Sequence, residues 1–285
     1  MFINKHSSFY LRDGWATKIL TSVNENEYIF SPANELTALD TFGVGKIMIK
    51  SLRYWSVATG LTTEKKISKG IVHTKTDLFN ILLEKDRYFF NKASLILLHR
   101  NIVKDSNNST AIYWFFNIYD KKSITKEEFT QGLYSYLVEN GCSYSKDMVS
   151  KEWGCITNMY SKSKASNIDK VIEDENTSML SRLELLRQVS STTYEKTSLN
   201  LNDISPYVIL YCILEDNKDK TQISIDTLVE EKNQIGKYLN LSYSDIIMLL
   251  QILENKKYLK VTNNHGSRYI DFNHTNENIL RKIYC

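Results

Sequence analysis

Proline is nearly absent from this chain, with Pro32 and Pro206 the only two in 285 residues. Helical segments therefore run without the residue that most strongly interrupts them. Each proline follows a serine, Ser31 or Ser205, the order expected at a helix start, with a capping side chain and then a ring at the first helical position. Cysteine is also scarce. Cys142, Cys155, Cys212 and Cys285 are scattered with no Cys-x-x-Cys pair, so neither a zinc ribbon nor a disulfide framework is indicated, and reduced thiols are expected. No apolar run approaches the ~18 residues of a membrane span. The opening MFINKHSSFYLRDGW has no apolar stretch of the secretory type. A cytoplasmic protein with no membrane partner is expected. The five histidines, His6, His73, His99, His265 and His274, show no His-Glu-x-x-His or comparable spacing, so the pattern supplies no metal site.

What is present is a mixture of 3.6-residue apolar periodicity and local basic clusters. The composition, 42% hydrophobic and 24% charged, is that of a folded globular protein. The net charge of +3 is too small to identify a polyanionic partner, but its distribution is uneven. Residues 1–75 carry ten Lys/Arg against six Asp/Glu, while 169–175 form an acidic patch. The expected fold is mainly α, with helix-turn-helix or winged-helix units at both ends and small β-hairpin wings. The expected division is an N-terminal helix-turn-helix-like domain at 1–75, a central helical domain at 76–200 and a C-terminal winged-helix domain at 201–285.

The N-terminal part is organised around the stretch 36–61. It reads as a short helix, a Gly43-Val44-Gly45 turn and a longer helix. On the second helix Lys46, Lys50 and Arg53 recur at spacings of four and three, placing them on one face, opposite Met48, Leu52 and Trp55. A helix that is basic outside and apolar inside fits a DNA groove, and it equally fits the solvated face of a core helix. Lys65–Ile67 and Ile71–His73 flank Gly70 as a candidate hairpin. In the middle, Tyr113–Phe116 is an aromatic run that predicts a fully buried helix segment, and Thr125 with Glu128 predicts a capping box. Ser161–Ser166 reads as a polar loop.

The C-terminal part predicts one helix striped by Leu228, Ile235 and Leu239, a turn at 240–242, and a helix with Ile246, Leu249, Leu250 and Leu253 inward. A hairpin should follow, with Leu259 and Val261 on one strand, Ile270 and Phe272 on the other, and Asn-Asn-His-Gly at the turn. Lys256, Lys257, Lys260, His265 and Arg268 cluster on it and become, with Lys46, Lys50 and Arg53, the candidate DNA contacts.

Two motifs are decoys. Gly43-Val44-Gly45-Lys46 lacks a phosphate loop's first glycine, where Asp40 stands, and its hydroxyl, where Ile47 stands. Asn117–Glu128 imitates part of a calcium loop but places Lys121 and Lys122 among the ligands. Metal-dependent phosphodiester cleavage needs converging carboxylates, and Asp13, Asp86 and Asp147 are too far apart in sequence to show convergence.

The run His6, Phe9, Arg12-Asp13-Gly14-Trp15 and Lys18, together with Gly43 to Met48 and Ser51, Arg53-Tyr54-Trp55, resembles a bacterial family of formally unknown function. That family accompanies DNA phosphorothioation genes and includes the SspB-type DNA nickases. Asp86 with Tyr88, Leu97 with His99, and Trp114–Asn117 extend the resemblance over nearly the whole chain, although Asn91 stands where an acidic residue is expected. The resemblance implies a DNA-binding component of a phosphorothioation or phage-defence system, with DNA nicking that uses magnesium or manganese as its enzymatic reading. Its implied partners are a cysteine desulfurase, an ATP-dependent sulfur-transfer enzyme and an ATPase. It assigns catalysis to no position. The alternative is a non-enzymatic winged-helix regulator or adaptor that recruits DNA-modification enzymes.

Overall fold

The computed structural model describes residues 1–161, 177–202, 204–264, 267–272 and 279–285. The expected loop at 162–166, the acidic patch at 169–175, His265 and His274 lie outside them.

The chain is mainly α with small antiparallel sheets. Its first part comprises α1 (Trp15–Glu25), α2 (Glu35–Phe42) and α3 (Lys46–Ala58), then the hairpin β1 (Thr62–Ile67) and β2 (Gly70–Lys75). Gly43 closes α2 in the left-handed region at φ 63°, its N–H donating to Leu39 O at 3.0 Å, and Gly45 opens α3 from an extended conformation. The tight turn needs glycine because other residues seldom adopt that φ. Pro32 begins a short 3-10 turn that runs into α2. Ser31 does not cap it; its Oγ instead accepts from Ile71 N–H at 3.3 Å, tying the turn to the hairpin.

The middle part contains α4 (Asp77–Lys85), α5 (Lys92–Lys104), α6 (Thr110–Asn117), β3 (Ser123–Thr125), α7 (Lys126–Glu139), α8 (Lys146–Tyr160), β4 (Leu186–Gln188) and β5 (Thr193–Lys196). Every residue of α6 is buried, as the aromatic run requires. The Thr125–Glu128 box is complete, with side chain and backbone bonded in both directions. Asn91 caps α5, accepting from Ala93 N–H at 2.9 Å. Strands β3, β5 and β4 form a three-stranded sheet that the hydrophobic pattern does not announce, because each strand has only three or four residues.

The last part runs α9 (Pro206–Asp216), β6 (Gln222–Ser224), α10 (Ile225–Glu230), α11 (Ile235–Tyr238), α12 (Tyr243–Asn255), β7 (Leu259–Asn264), β8 (Ser267–Phe272) and α13 (Ile279–Lys282). The sheet order is β6-β8-β7. The single helix expected through Leu228 and Ile235 is in fact two. The chain breaks at Asn233, with φ 64°, and folds α11 back so that a Cβ on Gly236 would lie 2.4 Å from Val229 O.

One continuous apolar cluster runs through all three parts. Buried polar groups join them. The His99 Nε2–H donates to Tyr238 O at 2.6 Å, which leaves Nδ1 to accept from Tyr160 OH at 2.8 Å. Burial pushes this imidazole down to about 4, so it is neutral. Asp216, fully buried, accepts from Arg100 Nε at 2.7 Å and from Tyr238 OH at 2.8 Å, and also binds Lys104.

Candidate nucleic-acid interface

The inner face of α3 is core: Leu52 and Trp55 are fully buried, and Trp55 Nε1 donates to Phe9 O at 3.0 Å. Its outer face carries Lys46, Lys50 and Arg53, as the spacing predicts, but two of these charges already have partners. Lys46 Nζ lies 2.8 Å from Glu35 on α2. Arg53 grips Glu64 on β1 with Nε and Nη2, both at 2.6 Å. The guanidinium holds the Glu64 carboxyl below the usual range, and the same carboxylate lies 3.1 Å from His73 Nε2. His73 itself is pushed down to about 4 by burial. Lys50 has no ion pair among the described residues and is exposed. It borders a groove of about 410 Å³ with Lys5, Arg53, Tyr54 and Asn108.

On the C-terminal hairpin, register decides where the cations point. Leu259 pairs with Phe272, Val261 with Ile270 and Asn263 with Arg268, so Arg268 lies on the core-facing side, beyond the core near the tip. Lys260 pairs with Asp271 on the opposite face. Lys256 and Lys257 are exposed at the end of α12, with Lys256 Nζ 5.5 Å from the Tyr207 ring centroid and Lys257 at φ 63°. The helix α12 contains no lysine or arginine, and its exposed side chains include Met248 and Ile252, one turn apart.

A third basic region was not anticipated. A cleft of about 470 Å³ lies between the β3-β5-β4 sheet and α10–α11, lined by Lys121, Lys122, Arg187, Lys196 and Lys237 but by one carboxylate, Asp120. Lys237 meets Asp120 at 2.5 Å, and Arg187 meets Glu195 on the adjacent strand at 3.2 Å. Lys122 has no ion pair among the described residues. Lys196 is held on β5, its backbone N–H donating to Lys122 O at 2.8 Å. Its ammonium donates to Tyr119 O at 2.5 Å and lies 4.9 Å from the Phe115 ring centroid and 5.5 Å from that of Tyr119. Burial pushes it down to about 7; Asp120 raises it and Lys237 lowers it further. In the sequence Lys121 and Lys122 registered only as residues that spoil a calcium loop.

The family model described as "Protein of unknown function (DUF4007)" matches residues 3–284. The chain belongs to the DUF4007 family. No curated protein matches it. A magnesium ion-bound SspB crystal structure is similar, with a TM-score of 0.81 and 25% identity, covering 95% of this chain and 83% of that one. A second SspB crystal structure has a TM-score of 0.79 at 24% identity, with the same coverage, and supports the fold alone.

In this DUF4007 chain the residues that carried the resemblance are largely a packing device. Phe9 O accepts from both Trp55 and Ser51, His6 stacks 5.8 Å from Trp55, and Lys18 Nζ donates to Phe42 O at 2.9 Å. His6 also contacts Glu152 at 3.0 Å; burial opposes its protonation, but Cys155 and Glu152 raise it well above the ordinary histidine value. Among the described residues Asp13, Asp86 and Asp147 do not come together as a metal centre. Asp13 is exposed, Asp86 is buried and accepts from Phe90 N, Asn91 N and Ser94 Oγ, and Asp147 lies in the first turn of α8. Among the described residues no three His, Cys, Asp or Glu side chains stand together as ligands. No helix among them is long and apolar enough to cross a membrane.

Proposed function

We propose that this chain is a DNA-binding component of a DNA phosphorothioation or phage-defence system, and that it acts as a DNA nickase. The observation that carries the reading is the likeness to magnesium-bound SspB over 95% of the chain. The C-terminal order of helix, strand, two helices, a third helix and a hairpin, with β6 added to the hairpin, is read as a winged helix. Proposed DNA contacts are Lys46, Lys50 and Arg53 on α3, and Lys256, Lys257, Lys260, His265 and Arg268 around the hairpin, His265 lying outside the described residues. On α3 Lys50 is the best placed, because its binding, unlike that of Lys46 or Arg53, would not first have to break an ion pair. Magnesium or manganese is the ion a nickase of this kind calls for. The described carboxylates do not assemble a ligand set for it. Proposed partners are a cysteine desulfurase, an ATP-dependent sulfur-transfer enzyme and an ATPase.

A second reading, a non-enzymatic adaptor that recruits modification enzymes, is favoured by α12. Its exposed Met248 and Ile252, and its lack of cations, suit a protein surface better than a phosphate backbone. Supercoiled plasmid incubated with the protein and magnesium or manganese separates the two. Open-circular product supports the nickase. A salt-dependent mobility shift without nicking supports the adaptor. Neither nicking nor a shift removes both.

A further inference from the structure

Lys196 poses a physical problem. Moving an ammonium out of water is costly unless an anion or several strong acceptors compensate, and here one carbonyl oxygen and aromatic faces do so in part. The titratable groups that line the cleft with it are Tyr119, Asp120, Lys121 and Lys122 from the segment before β3, Arg187 from the sheet, and Lys237 from α11. The one carboxylate of the lining, Asp120, is held by Lys237, while Arg187 meets Glu195 outside it. The cleft thus holds Lys196 and Lys122 without carboxylate partners around an open space of about 470 Å³.

We propose that this cleft is a phosphate-group site in which Lys196 and Lys122, flanked by Lys237, receive the anionic oxygens. Lysine supplies point charges with rotatable donors, which suits a phosphate approached from several sides. The surplus of cations suits phosphate better than a single carboxylate, which one of these lysines would satisfy. The phosphate is that of a DNA backbone phosphodiester or of a free phosphate or nucleotide, its oxygens accepting from the lysines. Assigning it to DNA rests on the reading above; the phosphate site itself does not.

The full chain, carrying lysine labelled with carbon-13 at Cε, is titrated with inorganic phosphate at fixed ionic strength while the Lys196 resonance is followed against pH. Bound phosphate should move its midpoint upward from about 7, since a neighbouring anion stabilises the ammonium. Lys196→Met, which keeps the stem over the rings, should weaken phosphate binding about tenfold or more, the loss expected for one charge-assisted contact. Lys122→Gln, at an exposed position, should weaken it less and serves as a variant with little risk to folding. A single-stranded oligonucleotide, whose diesters do not titrate here, is the second probe. If Lys196→Met weakens it in parallel, and affinity in the parent rises as pH falls from about 8.5 to 6.5 with Lys196 taking up its proton, the phosphate is that of DNA. If only inorganic phosphate is affected, the site takes a free phosphate or nucleotide. A phosphate response with no DNA binding at all leaves this site standing and removes the DNA-binding reading. A Lys196 midpoint that phosphate does not move, with Lys196→Met binding both probes as the parent does, overturns the proposal.

Discussion

On α3, Lys46 and Arg53 meet Glu35 and Glu64, and the helix turns Leu52 and Trp55 into the core. In the cleft, Lys196 meets a carbonyl and aromatic rings, and no carboxylate. The first region has two of its three cations paired, the third, Lys50, in water, and its inner side filled, so its outer face costs the folded chain little. The second holds a partly dehydrated cation that the folded chain would be more stable without. A cationic face seen in sequence records where lysines lie; it does not record which of them still lack an anion. Only the partners, supplied from elsewhere in the chain, reveal that.

The comparison can be broken most decisively at Trp55. Trp55→Ala should cost roughly 3–5 kcal/mol in denaturant unfolding, the range for emptying a large core site. A melting temperature that hardly moves would mean α3 is not a core helix, and its outer face would need a new account. The next effect is set by acid. His99 and His73 are neutral in the fold, each pushed down to about 4. The unfolded chain takes up protons first, so stability should fall as pH drops from about 6.5 toward 4, by roughly 3 kcal/mol for a fully buried imidazole. His6, raised beside Glu152, works in the opposite sense, its contribution fading as pH rises through its folded value. Replacing His99 by Phe should flatten the acid limb, and an unchanged limb would show that His99 is already charged.

Smaller and more pointed is Lys196→Met. Burial lowers Lys196 to about 7 from the roughly 10.4 of the unfolded chain, so at pH 6 folding must carry a charged ammonium into the cleft, and the variant should be more stable than the parent there, by about 1–3 kcal/mol. Loss of stability would place Lys196 with the balanced cations of α3. The smallest effects concern α3 itself. Lys50→Ala should lower the salt slope of DNA binding by about 1 and leave stability nearly unchanged. Glu64→Gln should release Arg53 and strengthen DNA binding at a stability cost of up to about 1 kcal/mol. If neither changes affinity, the α3 face belongs to solvent.

Local chemistry made much of the fold legible. Gly43 and the Thr125–Glu128 box set helix boundaries through contacts within four residues, so the sequence carries them directly. The buried run Tyr113–Phe116 could be read for the same reason. The break between α10 and α11 could not, because it depends on how Gly236 packs against Val229. The candidate site divides the same way. Helical spacing placed Lys46, Lys50 and Arg53 together, but the engagement of Arg53 depends on Glu64 in a following strand. The cleft collects residues near 120, 190 and 237, and no local pattern joins them.

The pairing of Asn263 with Arg268 and of Lys260 with Asp271 has a consequence for how the C-terminal hairpin meets a partner. A ribbon with one cation on each side resembles a blade rather than a paddle. Laid flat on a polyanion, it would press one charge against the surface and lift the other away. Both would reach phosphates at once only if the ribbon entered edge-on between two walls, such as those of a duplex groove.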